Sequence, residues 1–139
     1  GRIFPGSSAL FPPAYCSTGA ERELLRLSLE KRVQLVTNQI AVEEADRNLE
    51  RKAPEGVAIF RAILNAFPIE VLPEPGMAEV QAATLFVVLK DAPILAGTIE
   101  GRADYLATFD RQHLIGIDAS RVAPELVIAT PGDILSLIR

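Results

Sequence analysis

Apolar positions along the chain switch repeatedly between the two-residue spacing of strands and the 3.6-residue spacing of helices. Arg2-Ile3-Phe4 opens as a short apolar strand, and Pro5, Gly6, Pro12 and Pro13 break any regular pattern over the next ten residues or so. Thr18-Gly19-Ala20-Glu21 has the capping-box spacing, in which the Thr hydroxyl and the Glu side chain satisfy free N–H groups at a helix start. It predicts a helix from about Ala20 to Lys31, with Leu24, Leu25, Leu27 and Leu29 as a broad apolar face. Val33 to Thr37 alternates and is rich in β-branched residues, which predicts a strand. Ile40 to Lys52 is helical in pattern, with Ala41, Ala45 and Leu49 on one stripe, and Pro54 restarts a helix that carries Phe60, Ile63, Leu64 and Phe67. Ile69 to Leu72 is a short strand closed by prolines. Ala78 to Leu89 is apolar on nearly all sides, which predicts a helix that is buried or lies in a subunit interface. Asp91-Ala92-Pro93 reads as a helix start, with Asp at the cap and Pro in the first turn; Ile94, Leu95, Thr98 and Ile99 continue it and Gly101 helps end it. Tyr105 to Thr108 and Leu126 to Thr130 are two further strands, and Pro131 opens a last short helix ending in Leu135, Leu137 and Ile138.

About five strands interleaved with helices imply a mostly parallel sheet covered on both faces. Ligands of such sheets bind beyond the carboxyl ends of the strands, near the point where the strand order reverses. The chain has 139 residues, the size of one domain, with no repeat and no linker, so residues 1–139 are expected to form a single unit. With 49% hydrophobic and 23% charged residues it can build a core and is not a disordered chain.

The net charge of −4 removes the basic footprint of a duplex-binding protein, so any nucleic-acid contact must come from local Arg and Lys clusters or from metal offsetting the acids. Cys16 is the sole cysteine, which excludes an intrachain disulfide and fits a reducing cytoplasm; it reads as a small residue near a loop. The longest apolar run, Ala82 to Leu89, is far below the roughly 20 residues that span a bilayer. The first residues also lack the order of a signal peptide. The expectation is a soluble cytoplasmic protein without a membrane partner.

Four acidic residues near the strands and helices of such a sheet could carry chemistry. Asp110 lies two residues beyond the strand ending at Thr108, Asp104 immediately before that strand, and Asp91 at the opening of the helix that leads into it. Glu44 sits on the helix after the second strand and flanks its apolar stripe, whereas Glu43 points away. Singly, each has an ordinary explanation: Asp91 as a helix cap, Asp110 as turn chemistry and Glu44 as a solvated helix residue. Taken together they raise another. Carboxylates brought within a few ångström repel one another unless a cation is present or one is protonated. Hard oxygen donors suit Mg²⁺ or Mn²⁺, which activate water and offset charge on a phosphate. His113, the only histidine, reads as a solvated loop residue. Arg47, Arg51 and Lys52 share a helix and could face a phosphate backbone, but ion pairing with Glu43 and Glu50 is the favoured reading. There is no Gly-rich phosphate loop, zinc spacing or Ser-His-Asp arrangement, which weighs against a nucleotide-binding regulatory domain.

The segment from Lys90-Asp91-Ala92-Pro93 through Ala103-Asp104-Tyr105-Leu106-Ala107-Thr108-Phe109-Asp110 resembles the carboxyl half of PIN-domain proteins, in particular the toxins of toxin–antitoxin pairs. Ala129-Thr130-Pro131-Gly132-Asp133-Ile134-Leu135 resembles that branch's closing strand and helix, and Leu35-Val36-Thr37 with Glu43-Glu44-Ala45 and Leu49 its second strand and acidic helix. The resemblance covers nearly the whole chain. It implies a three-layer α/β/α sandwich around a parallel five-stranded sheet in the order 3-2-1-4-5. It also implies an Mg²⁺- or Mn²⁺-dependent ribonuclease, with RNA as substrate, an antitoxin protein as partner and a homodimer as assembly. Carried over, Glu44, Asp91 and Asp110 match three of the family's metal-binding acids, Asp104 an auxiliary ligand, Thr108 the hydroxyl that orders the site, and Ser8 the small polar residue near the first Asp. That first Asp is absent. Aligning Ile3-Phe4 and Leu10-Phe11 with the family puts Gly6 in its place, and no carboxylate occurs between Gly1 and Gly19. Ser7, Ser8 or water compensates only weakly, and Pro5 predicts a shortened or distorted first strand. Weak or absent nuclease activity is therefore expected. The alternative is a catalytically degenerate PIN domain that binds RNA or a protein.

Overall fold

Alternating side chains in the strands divide the core in two. In the computed structural model, which describes residues 1–10 and 19–139, the fully buried neighbours Ile3 and Phe4 point to opposite faces of the sheet. The five strands are β1 (Arg2–Pro5), β2 (Gln34–Asn38), β3 (Ile69–Leu72), β4 (Tyr105–Ala107) and β5 (Val127–Ala129). They pair in the order β3-β2-β1-β4-β5, all parallel. Ile3, Leu35 and Ala107 pack with Leu24 and Leu27 of α1 (Ala20–Leu29) and Ile134 of α6 (Pro131–Ile138). On the other face Phe4, Val36 and Leu106 pack with α2 (Gln39–Lys52), α3 (Val57–Ala66), α4 (Met77–Ala83) and α5 (Ala92–Glu100), through Leu49, Phe60, Ala83 and Leu95. The result is the expected three-layer α/β/α sandwich with the expected strand order.

β1 is neither shortened nor distorted. Its ladder to β2 stops at Ile3↔Leu35, while its ladder to β4 runs on to Pro5↔Ala107. Pro5 therefore sits where β1 has already parted from β2, so its missing donor interrupts no ladder bond there. Its carbonyl instead accepts a hydrogen bond from Thr37 Oγ1 at 3.3 Å. Gly6 N donates to Ala107 O at 2.9 Å and continues the β4 ladder past the proline.

Two helices end earlier or differently from the sequence pattern. α1 stops at Leu29 because Lys31 takes a left-handed φ of 61°, and Arg32 N and Lys31 N close onto Leu27 O and Ser28 O. Arg102 does the same after α5 with a φ of 54°, its N and that of Ala103 closing onto Ile99 O and Thr98 O. Gly101 is thus not the left-handed residue; a Cβ there would meet Val36 Cγ1 at 3.0 Å, so it serves the close approach of α5 to β2. The long helix expected over Ala78 to Leu89 is a correction. α4 ends at Ala83, Val88 is extended, and Leu89–Asp91 forms a single 3-10 turn. Leu85 and Leu89, with Met77 just before that stretch, are exposed, so the stretch is not wholly buried within the chain. The breaks at Pro12 and Pro13, the Thr18 of the capping box and Cys16 fall outside the described residues. Among the described residues no helix is long and apolar enough to cross a membrane.

Candidate metal centre

The strand order reverses between β1 and β4, and the segments leaving their carboxyl ends meet there. The turn Ser7–Ala9 comes directly after β1 and its two serines reach in different directions. Ser7 Oγ donates to Glu44 Oε1 at 2.6 Å, holding the acid that α2 brings over the sheet edge. Ser8 Oγ accepts from Phe109 N at 3.1 Å and lies 3.5 Å from Thr108 Oγ1. Thr108 is buried, and its hydroxyl accepts from Asp110 N at 3.1 Å. The turn after β1 thereby tethers both α2 and the loop after β4.

Asp110 has two tasks. Its Oδ1 accepts from Gln112 N at 3.1 Å and from His113 N at 2.9 Å, the turn chemistry its position suggested. Its Oδ2 faces the His113 ring, 3.5 Å from Nδ1. Asp91 is not the helix cap its sequence context suggested: its backbone occupies the N-cap of α5, but its side chain makes no capping bond. The residue is only 8% exposed, and Oδ2 has no hydrogen-bond partner. Burial pushes the Asp91 carboxyl above its ordinary range. The charges of Asp110 and Glu44 add to that effect, and Lys90 and His113 oppose it.

Among the described residues, ligand atoms of Asp91, Asp110 and His113 all lie within 4.8 Å of one another. Glu44 stands at the rim of this group, close enough to act on Asp91 electrostatically but outside the tight cluster. Asp104 is elsewhere. It precedes β4, at the amino end of a strand whose carboxyl end leads to Asp110, and its Oδ2 accepts from Arg2 N at 2.8 Å. A parallel strand rises about 3.3 Å per residue, so β4 itself separates Asp104 from the cluster. An auxiliary ligand role at Asp104 therefore does not fit. Arg47, Arg51 and Lys52 make no ion pair with Glu43 or Glu50 among the described residues; Arg51 donates to Asn48 Oδ1 at 2.8 Å instead.

His113 is the residue that sequence reasoning passed over. The available signal was its position three residues after Asp110. A turn capped by an Asp folds the third following residue back toward the capping carboxylate. Gly6 follows β1 at the same edge of the sheet, in extended backbone, and a Cβ there would stand 3.5 Å from Ala107 O, 3.7 Å from Ile94 Cγ2 and 3.9 Å from Leu106 Cδ1. These are ordinary contacts, so among the described residues position 6 has room for a Cβ.

No family model and no curated protein matches the chain. Solved structures do. VapBC2 from Rickettsia felis, bound to a DNA fragment from its promoter, superposes with a TM-score of 0.60 at 15% identity, over 92% of this chain and 97% of the other. VapC20 from Mycobacterium tuberculosis, a sarcin–ricin loop cleaving toxin, gives a TM-score of 0.58 at 16% identity, over 79% and 91%. At such identities likeness carries the fold alone, and with the 3-2-1-4-5 parallel sheet it gives this chain the PIN-like fold of VapC toxins.

Proposed function

We propose that the chain is a metal-dependent ribonuclease, the toxin of a cytoplasmic toxin–antitoxin pair, with activity held low by Gly6. Glu44, Asp91 and Asp110 are its metal-binding carboxylates. The observation that carries the reading is the buried, unpartnered Oδ2 of Asp91 beside Asp110. An orphaned buried acceptor is costly unless something supplies positive charge. The donor set is chiefly carboxylate oxygen, which suits Mg²⁺ or Mn²⁺. When bound, such a cation generates a nucleophilic water and offsets charge on the phosphate.

The chain's own residues perform the positioning. Ser7 orients Glu44, Thr108 holds the backbone of Asp110, and the Asp110 turn fixes its own carboxylate. Gly6 offers no anionic oxygen, so the donor set is one carboxylate short, and losing one member of a catalytic group commonly costs several orders of magnitude in rate. RNA as substrate and an antitoxin as partner belong to this proposal; they are supported by the fold shared with VapC20, a sarcin–ricin loop cleaving toxin, and with VapBC2. A homodimer through the exposed Met77, Leu85 and Leu89 belongs to the same proposal and is checked by light scattering.

The second reading is a PIN-like module that binds RNA or protein without cutting; Gly6 favours it. RNA cleavage in Mn²⁺ by the natural chain and by Gly6→Asp separates the two. The variant is expected to cleave at least ~100-fold faster. Equal metal-dependent cleavage by both would show that Gly6 is no handicap. Absence of both cleavage and Mn²⁺ binding in both proteins would leave only the binding module.

A further inference from the structure

The assignment of three carboxylates leaves one clustered group without a task. His113 is the only histidine, and the turn capped by Asp110 brings its ring into the group formed with Asp91 and Asp110. Acidic residues often gather without a ligand, so the cluster alone would not identify a site. Asp91 supplies the independent observation: the residue is more than nine-tenths buried, Oδ2 has no hydrogen-bond partner, and its carboxylate lies in the same group. Gly6, just after β1, has no side-chain donor, and among the described residues the imidazole is the additional donor grouped with the two aspartates.

We propose that His113 gives a ring nitrogen to the cation held by Asp91 and Asp110 with Glu44 at the rim, making a mixed carboxylate–histidine centre that prefers Mn²⁺ to Mg²⁺. This rests on the metal-site reading above. Imidazole suits the transition ions, whereas Mg²⁺ selects oxygen donors and surrenders its waters reluctantly. Replacing a missing carboxylate by an imidazole therefore changes which ion the centre keeps as well as how tightly.

The test is calorimetric titration of the purified chain with Mn²⁺ and with Mg²⁺, together with pulsed EPR of bound Mn²⁺. The natural chain is expected to prefer Mn²⁺ by at least ~10-fold and to show nitrogen modulation on the Mn²⁺ signal. His113→Ala should lose the modulation and about 10- to 100-fold in Mn²⁺ affinity, a loss of the size seen when a ligand's support is removed, with far less effect on Mg²⁺. His113→Asp should keep binding but move the preference toward Mg²⁺. Circular dichroism of each variant confirms folding. Asp91→Asn distinguishes the two levels of the argument. If it abolishes Mn²⁺ binding while His113→Ala changes neither affinity nor spectrum, the centre is all oxygen and the His113 assignment alone is overturned. If neither substitution alters Mn²⁺ binding, the metal site itself is refuted.

Discussion

Gly97→Ala is a substitution that usually favours a helix and should here be damaging. Gly97 lies inside α5, the helix that begins just after Asp91. A Cβ at that position would stand 2.2 Å from Asn38 Nδ2, 3.1 Å from Asn38 Cγ and 3.2 Å from Phe4 Cε2. Neither neighbour can easily yield. Phe4 is fully buried between the layers, and Asn38 is fully buried and hydrogen-bonded at both ends. Its Oδ1 accepts from Ala41 N at 2.9 Å, capping α2, and its Nδ2 donates to Pro93 O at 3.2 Å, tying α5 to β2. Overpacking costs about 1–3 kcal/mol. Breaking a buried hydrogen bond and stranding its partner costs about 1–3 kcal/mol more. Better helix propensity returns roughly 1 kcal/mol, so the net loss is about 1–5 kcal/mol. At about 2.1 cal/mol/K of unfolding entropy per residue, 1 kcal/mol shifts the midpoint of a chain this size by about 3 °C. Thermal unfolding followed by circular dichroism should therefore show a drop of about 3–15 °C. In an Asn38→Ala background, which removes the atom nearest the new methyl, the same substitution should cost clearly less. A midpoint that is unchanged or raised in the single variant would refute the reasoning, because helix propensity would then outweigh the clash.

The tethers and charges of the crevice carry further expectations. Ser7→Ala releases the hydrogen bond to Glu44 at 2.6 Å and should leave the melting temperature within a few degrees, since a typical bond contributes about 1 kcal/mol. It should also weaken Mn²⁺ binding by ~10-fold, read by calorimetry, as loss of an oriented ligand does. The pH dependence of Asp91 has a definite sign. Its folded pKa is raised by burial, so the folded chain retains that proton to higher pH than the unfolded chain, and stability falls as pH rises through that interval. In chelator, Asp91→Asn should therefore melt higher than the natural chain at pH 7, with the advantage shrinking on acidification below the folded pKa. Saturating Mn²⁺ should reverse the order, because only the natural chain gains from binding.

The sheet was legible because its central strands are short and buried on both faces: Leu35-Val36 and Leu106-Ala107 read as apolar pairs between turn signals, and they send alternate residues into the two cores. The strand order itself came from family resemblance; periodicity does not encode it. The end of α4 was invisible for a related reason. The residues after Ala83 stay apolar, so no change of pattern marks the place where the chain leaves the helix, although Thr84, Val87 and Val88 are poor helix formers. At the candidate centre, the positions of Glu44, Asp91 and Asp110 could be reached from strand ends. What sequence could not show was the direction of side chains. Asp91 looked like a cap and makes no capping bond, Asp104 lies beside a strand but at its wrong end, and His113 depends on a turn closed by backbone donors.

The two adjacent serines after β1 act as a mechanical linkage. One grips the helix carrying Glu44, and its neighbour grips the segment carrying Asp110, so these two walls of the candidate centre are clamped to a single short turn. Displacing that turn would carry both walls together, preserving their spacing.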